Sequence, residues 1–234
     1  MIGAALLGLG TMPASATQVP FVGCTGSGQA GVEHAPRSGA VPRVPAAVAG
    51  QLAYYSSSGF GVLAPRGWHC FATSGSSGGS LIVSERPLNT HSLDSLFGLR
   101  ARAVVISFSY GGTSGRFAVA RAVHRMFPAY GAFARNVAAE RGGIARLEPP
   151  SPHDRITRRS RTVADFITPA GRDGVGTASR LAASPEPIQG TAILLPDQEM
   201  NLVQISLRLG QARRAETEAI LAHFRATRGS PPPR

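Results

Sequence analysis

The chain contains no lysine, and all 24 of its basic residues are arginine. Replacement of lysine by arginine throughout a chain is typical of GC-rich coding. The absence also excludes a phosphate-binding loop of the Walker type, because that loop needs a lysine after its glycines. The Gly-rich turn at Gly111 and Gly112 has no such lysine and leads into a basic segment.

Long apolar runs are also absent. The apolar segment 2–9 is too short to span a bilayer, and the first charged residue is Glu33. Ala14, Ser15 and Ala16 follow it as a small-residue pattern, which is typical of a secretory signal peptide (residues 1–16) cut after Ala16. The basic residues that normally begin such a peptide are missing, so we expect the natural start codon to lie further upstream. No later run could span a membrane, and we therefore expect a soluble periplasmic or secreted protein.

Cysteine is scarce: the chain has only Cys24 and Cys70. An even number in an exported chain indicates pairing, and a Cys24–Cys70 bridge would contribute about 4 kcal/mol by closing a long loop. It would tether residues 17–45, a Gly-, Ser- and Pro-rich arm that we expect to be irregular. The alternative is a lipoprotein acylated at Cys24. Phe21 stands where a lipobox has an aliphatic residue, and acylation would leave Cys70 unpaired, so the disulfide is favoured.

Arginines outnumber acidic residues two to one in the C-terminal half. Residues 99–234 hold 20 arginines and 10 acidic residues, whereas residues 1–98 hold four arginines and three acidic residues. Such a half could bind an anionic lipid, a cell-wall polymer or a nucleic acid. The densest run, a candidate anion-binding set, is Arg155, Arg158, Arg159 and Arg161. No basic stripe interleaved with aromatics is present, which disfavours nucleic acid, and a solvated surface explains the charge more simply.

Tryptophan occurs once, at Trp68, in the stretch GVLAPRGWHC. Residues 61–64 are apolar and bounded by turn residues, which predicts a buried strand. Pro65 cannot donate to a strand ladder and Gly67 tolerates positive φ, so residues 65–67 predict a tight turn. Residues 68–72 then predict a second strand with Trp68 and Cys70 on one face. We expect Trp68 to be a core anchor beneath the disulfide rather than a ligand-binding residue.

The remaining patterns predict an α+β domain over residues 46–226, with a mostly antiparallel sheet packed by helices and a disordered tail at 227–234. Helices are expected at 46–55, from an N-cap at Ser114 to Phe127, at 129–141 and at 213–224. Strands are expected at 81–83, 104–110, 162–168, 191–195 and 201–209. Residues 73–80 predict a Gly/Ser loop, and residues 147–161 predict a Pro- and Arg-rich connection.

Two resemblances carry expectations of their own. Residues 63–68, LAPRGW, and the final strand and helix resemble the two ends of the Mog1/PsbP-like fold. That resemblance implies a sheet sandwiched by helices and, commonly, a non-enzymatic binding or assembly role. The chain also resembles an uncharacterised family of exported bacterial proteins that share GVLAPRGWHC.

Catalytic signals are weak. Residues 75–79 match the GxSxG pattern of hydrolases around Ser77, but a strand rather than a helix is predicted to follow, so a loop is favoured. His69 and Cys70 are neighbours in a strand and point to opposite faces. The six histidines show no metal-ligand spacing, and no metal or cofactor is expected.

The sequence therefore favours a non-enzymatic exported cell-envelope protein with a binding or scaffolding role. One alternative is an envelope hydrolase that uses Ser77. The other is a binder of an anionic surface or polymer through the arginine-rich half. The ligand, the partner and the oligomeric state are not specified by these patterns.

Overall fold

The computed structural model describes residues 15–140 and 147–227. The predicted signal peptide therefore lies almost wholly outside the described residues, as does nearly all of the predicted tail. Within these ranges, no helix is both long enough and apolar enough to cross a membrane.

The N-terminal half is built mainly of short strands. They are β1 (Ala16–Gln18), β2 (Phe21–Gly23), β3 (Gly26–Gly28), β4 (Gly31–Glu33), β5 (Arg43–Pro45), β6 (Leu52–Ser56), β7 (Gly61–Pro65), β8 (His69–Gly75) and β9 (Gly78–Ser84), with a one-turn helix α1 (Ala46–Ala49) before β6. The arm at 17–45, predicted to be irregular, thus contributes strands to the fold.

Longer elements form the rest of the domain. They are β10 (Ala103–Ser109), α2 (Arg116–Met126), α3 (Gly131–Ala139), β11 (Arg155–Arg158), β12 (Val163–Thr168), β13 (Ile188–Pro196), β14 (Met200–Arg208) and α4 (Arg214–Thr227). A 3₁₀ turn, Leu93–Leu96, precedes β10.

A nine-stranded sheet in the order β11-β12-β13-β14-β10-β9-β8-β3-β4 organises the domain. Every pairing in it is antiparallel except that of β3 with β8. Smaller sheets join β2, β6 and β7, and pair β1 with β5. The predicted α+β class with a mostly antiparallel sheet is confirmed.

The two faces of the large sheet carry separate apolar cores. On the first face, alternate residues of β10 and β14 pack with β6, β7 and α4; they include Ile106, Phe108, Val203, Ile205 and Leu207. On the second face, Phe71, Ile82 and Val105 pack with α2 and α3. Strict alternation of side chains along each strand separates the two sets.

The predicted disulfide is present. Cys24 and Cys70 are bonded, with their Cα atoms 5.6 Å apart. Cys24 directly follows β2, and its amide donates to the Ser56 carbonyl oxygen. Two residues further on, β3 pairs with β8. The bridge therefore fastens the N-terminal arm to the edge of the large sheet.

Tyr55, rather than Trp68, is the buried anchor of the central hairpin. Tyr55 is 0% exposed; its hydroxyl donates to the Pro65 carbonyl (2.8 Å) and accepts from the Trp68 amide (2.9 Å). Trp68 is only partly buried and packs at the margin of the first core. The expected turn is present, with Gly67 at φ +81°.

Four further sequence-based expectations were wrong in detail. The helix expected at 46–55 stops at Ala49, and β6 follows because Tyr54 and Tyr55 suit a strand. Residues 73–80 form the ends of β8 and β9 rather than a loop. Ser114 does not cap α2; instead the Thr113 hydroxyl accepts from the Gly115 amide. The connection at 147–161 contains β11.

Candidate functional site

A row of polar side chains crosses the second face of the large sheet. Thr73, Ser80, Ser107 and Gln204 lie opposite one another on β8, β9, β10 and β14. The next row, two residues away along each strand, is apolar on its first three strands: Phe71, Ile82 and Val105. Polar groups on a covered sheet face cost free energy unless they find partners. We call these four residues the polar row.

The polar row is only partly satisfied from within the protein. The Thr73 and Ser80 hydroxyls are hydrogen-bonded at 2.9 Å, and the Gln204 amide nitrogen donates to Ser206 at 3.1 Å. Within the described residues, the Ser107 hydroxyl has only a long hydrogen bond of 3.5 Å, to the Gln204 backbone carbonyl. A hydroxyl can donate one hydrogen bond and accept two, so the row keeps unused capacity.

A cavity of about 680 Å³ lies over Thr73, Ser80 and Ser107 of this row, whereas Gln204 lines the smaller cavity beside it. The start of α2 forms one wall, the turn between β8 and β9 a second, and the segments that carry Phe97 and Arg180 a third. A smaller cavity of about 80 Å³ continues along α2 and shares Ser107 and Arg121 with the first. The two together are called the groove, and the larger cavity alone has the size of a typical ligand site.

A glycine, Gly115, allows the start of α2 to meet the β8–β9 turn. A Cβ atom on Gly115 would lie 2.1 Å from the Ser77 carbonyl oxygen and 2.6 Å from that of Tyr110. The Tyr110 amide donates to the same Ser77 oxygen at 3.1 Å. The start of α2, the end of β10 and the β8–β9 turn are therefore locked together. From there α2 packs mainly over β10 and β14, which leaves room above β8 and β9.

Arg208 places the third wall. This side chain is 1% exposed and donates to the carbonyl oxygens of Leu99, Ala101 and Ala182. These carbonyls belong to the two segments that follow Phe97 and Arg180. Backbone bonds between Leu99 and Arg180 (2.9 Å) and between Ala182 and Leu99 (3.0 Å) fix the segments to each other. Phe97 and Arg180 are thus held side by side.

Arg180 is the principal charged group of the groove. Its guanidinium donates to the Thr73 hydroxyl at 3.2 Å and lies over the Phe97 ring, 3.7 Å from the centroid. Partial burial lowers the pKa of Arg180. Among the described residues, no carboxylate pairs with it within 4.0 Å. Its contacts are therefore neutral.

Other charges around the groove leave it positive. Arg121, on α2, is exposed and lines both cavities. Arg125 lines the smaller cavity but pairs with Glu148 at 3.3 Å. Asp94 is the acidic residue that lines the larger cavity, and it makes no ion pair in the part of the chain described.

No family model matches the chain, and neither does any curated protein or solved structure. No group of three or more His, Cys, Asp or Glu residues that could hold a metal ion occurs within residues 15–140 and 147–227. The function of the groove is therefore inferred from its hydroxyls, its amide and its arginines.

Ser77 lies in the β8–β9 turn at the rim of the groove. It is exposed, and a strand follows it, whereas a hydrolase elbow leads into a helix. Its hydroxyl has no hydrogen-bond partner in the described residues, and no described histidine lines either cavity. His69 is exposed at the start of β8, and Cys70 beside it is held in the disulfide. Within the described residues, the structure therefore does not place a histidine beside Ser77.

The arginine run does not form one cluster. Strand alternation in β11 places Arg155 and Arg159 beside a separate cavity of about 360 Å³, whereas Arg158 donates to the Met126 carbonyl at 3.0 Å. Arg161 is exposed in the following turn. The four side chains lie at the far edge of the sheet from β8.

One of these arginines is already paired. Arg159 donates to Asp165 at 2.8 Å, and Arg225 and Thr191 contact the same carboxylate. Burial raises the pKa of Asp165, but hydrogen bonds from Thr191 and Arg159 and the charge of Arg225 outweigh it and hold that pKa below its ordinary value. This cavity is therefore partly neutralised by the chain's own carboxylate.

A second sequence motif, besides GxSxG, is also explained by the fold. Residues 26–31, GSGQAG, match the GxGxxG pattern of dinucleotide-binding loops. That loop needs a strand followed by a helix, whereas these residues form the β3–β4 hairpin at the sheet edge. The pattern therefore has a structural explanation here.

The polar row was missed from the sequence. The sequence does contain one indication of it: polar and apolar residues alternate along β10, so Ser107 and Ser109 lie on one face of the strand and Ile106 and Phe108 on the other. The partners Thr73 and Ser80 were hidden because their segment was interpreted as a loop. Arg180 could not be found, since nothing local connects it to β8.

Proposed function

We propose that this chain is an exported cell-envelope domain that binds an anionic ligand in the groove. The observation that carries the proposal is Arg180, a partly buried cation whose contacts among the described residues are neutral. Removing a cation from water costs free energy unless an opposite charge compensates it. A bound anion would supply that charge.

The chemistry of the guanidinium supports an oxyanion. Its five N–H groups form a planar fork that matches a carboxylate or a phosphate. One N–H group of Arg180 donates to Thr73, and one face of the guanidinium plane packs on the Phe97 ring. Further N–H groups therefore remain for a ligand. Arg121 adds a second positive charge at the rim, and the formal charge of +11 favours the approach of anions.

Export is supported by two features. The chain has the Cys24–Cys70 disulfide, and disulfides form and persist mainly in an oxidising compartment. The predicted signal peptide, cut after Ala16, supplies a route to that compartment, and its residues lie almost wholly outside the described ones. We propose a periplasmic or secreted location.

Binding is preferred to hydrolysis because, in the described residues, the Ser77 hydroxyl has no hydrogen-bond partner and no histidine lines the groove. We also propose that the domain is related to the Mog1/PsbP-like sandwich. Two features support that relation: residues 63–68 form the junction of β7, the turn and β8, and β14 is followed directly by α4.

Calorimetric titration tests the proposed site. The mature chain with its disulfide intact is titrated with glutarate and with inorganic phosphate, alongside Arg180→Gln. Losing one charge-assisted contact should weaken binding about tenfold or more. Arg66→Gln is the matched control, because Arg66 is exposed in the turn at the other end of β8 and undergoes the same charge change. Equal weakening in both variants, or no binding to the wild-type protein, would refute the proposal.

A further inference from the structure

The polar row has a regular spacing that a bare anion would not need. Neighbouring strands lie about 4.8 Å apart, so Thr73, Ser80, Ser107 and Gln204 place hydrogen-bonding groups at that interval across four strands. Three of the four are hydroxyls, which both donate and accept. A ligand that uses this row must itself carry several hydroxyls in sequence, and a sugar ring does so.

Phe97 adds an apolar platform to the same cavity. It lines the cavity and is 55% exposed, which makes it, with Val32, one of two exposed large apolar side chains in the described ranges. The guanidinium of Arg180 covers one ring face. The faces of an aromatic ring are negative, so they attract both that cation and the polarised C–H groups on the flat face of a sugar.

Two arginines are the third feature of the groove, after the polar row and the Phe97 ring. Arg180 contacts Thr73 and the Phe97 ring, and Arg121 lines the same cavity. Both are without a carboxylate partner among residues 15–140 and 147–227. A neutral sugar would use the row and the ring but leave Arg180 uncompensated. A free phosphate would use Arg180 but leave the row and the ring idle. The ligand that uses all three is a sugar with an acidic group.

From these observations we infer that the groove binds an acidic carbohydrate, whose carboxylate or phosphate pairs with Arg180 while its hydroxyls contact the polar row and its C–H face lies against Phe97. This inference rests on the proposed anion binding and specifies its ligand class. Ser107 is the residue that separates the two proposals, because it lines the groove but shares no hydrogen bond with Arg180 in the part of the chain that the structure describes.

The test compares matched ligands on the intact mature protein by calorimetry. Uronic-acid disaccharides and hexose phosphates are compared with glutarate and methyl phosphate, which carry the acid without the sugar, and with neutral disaccharides. We expect at least one acidic sugar to bind tenfold or more tightly than both its neutral analogue and its non-sugar acid. Ser107→Ala should weaken that sugar about fivefold and leave glutarate unchanged.

Two further variants control the test. Phe97→Leu keeps an apolar side chain but removes the ring, and it should weaken the sugar more than it weakens glutarate. Val32→Ala trims the other exposed apolar side chain and should change neither. If acidic sugars bind no better than the simple acids while Arg180→Gln still weakens both, the carbohydrate inference fails and anion binding stands. If no acid binds, or if neutral sugars bind equally well, both proposals fail.

Discussion

At the scale of single residues, a buried tyrosine hydroxyl fixes the turn between β7 and β8 through hydrogen bonds. Tyr55 closes the turn between β7 and β8 from inside the first core, through one bond donated to Pro65 and one accepted from Trp68. The adjacent Tyr54 has a hydroxyl that packs close to Gly61 and makes no hydrogen bond in the part of the chain described. Two neighbouring tyrosines on one strand thus have different roles.

Tyr55→Phe is therefore predicted to lower the free energy of unfolding by about 1–3 kcal/mol, because it leaves the Trp68 amide and the Pro65 carbonyl without their partner. Tyr54→Phe, the matched control, should change it by less than about 0.5 kcal/mol. Urea unfolding followed by Trp68 fluorescence measures both. Equal effects of the two substitutions would show that the hydroxyl of Tyr55 does not fix the turn.

At the scale of elements, the groove depends on where α2 begins. Gly115 lies against the β8–β9 turn with no room for a side chain, whereas Gly131, at the start of α3, has only the flexible Arg135 side chain near it, at 3.3 Å. Both glycines have helical backbone angles, so an alanine would be tolerated conformationally at either position.

Gly115→Ala is predicted to destabilise the fold by about 1–3 kcal/mol through overpacking and to weaken ligand binding, because α2 must move away from the turn. Gly131→Ala should be neutral or stabilising by up to about 1 kcal/mol, since alanine favours the helix. Thermal melts and the glutarate titration measure the two effects. A Gly115→Ala protein that keeps both stability and affinity would contradict this description of the groove.

Elements with clear periodicity were predictable from the sequence, and the site was not. Strands β10 and β14 follow from the alternation of apolar residues around Ile106 and Val203, and helix α4 follows from the helical spacing of apolar residues that ends at Phe224. The polar row depends on the register of four strands, and that register is fixed by pairings between distant segments. Gly/Ser-rich residues 73–80 pair because β10 offers an edge to β9, a cause that lies outside the local sequence.

At the scale of the whole molecule, the disulfide joins the N-terminal arm to the strand that carries Thr73. Cys70 lies three positions before Thr73 on β8, and β3 forms the next strand of the sheet. The bridge spans a sequence separation of 46 residues, and closing a loop of that length in the unfolded chain is worth about 4 kcal/mol.

Replacing both cysteines by alanine is therefore predicted to lower stability by about 4 kcal/mol, or the melting midpoint by about 10 °C. Reductant should produce a similar loss in the wild-type protein and no further change in the double variant, which serves as the control. Calorimetric melts measure both. A wild-type midpoint that does not respond to complete reduction would show that other contacts hold the arm.

The groove and the arginine run at β11 lie at different ends of the large sheet, so an anion can be assigned to one or the other. The most direct measurement is a map of amide chemical-shift changes while the ¹⁵N-labelled mature protein is titrated with glutarate. If the groove is the site, the changes will concentrate at Thr73, Ser80, Phe97 and Arg180 and disappear in Arg180→Gln. Changes centred on Arg155 and Arg159, or spread evenly over the arginines, would contradict it.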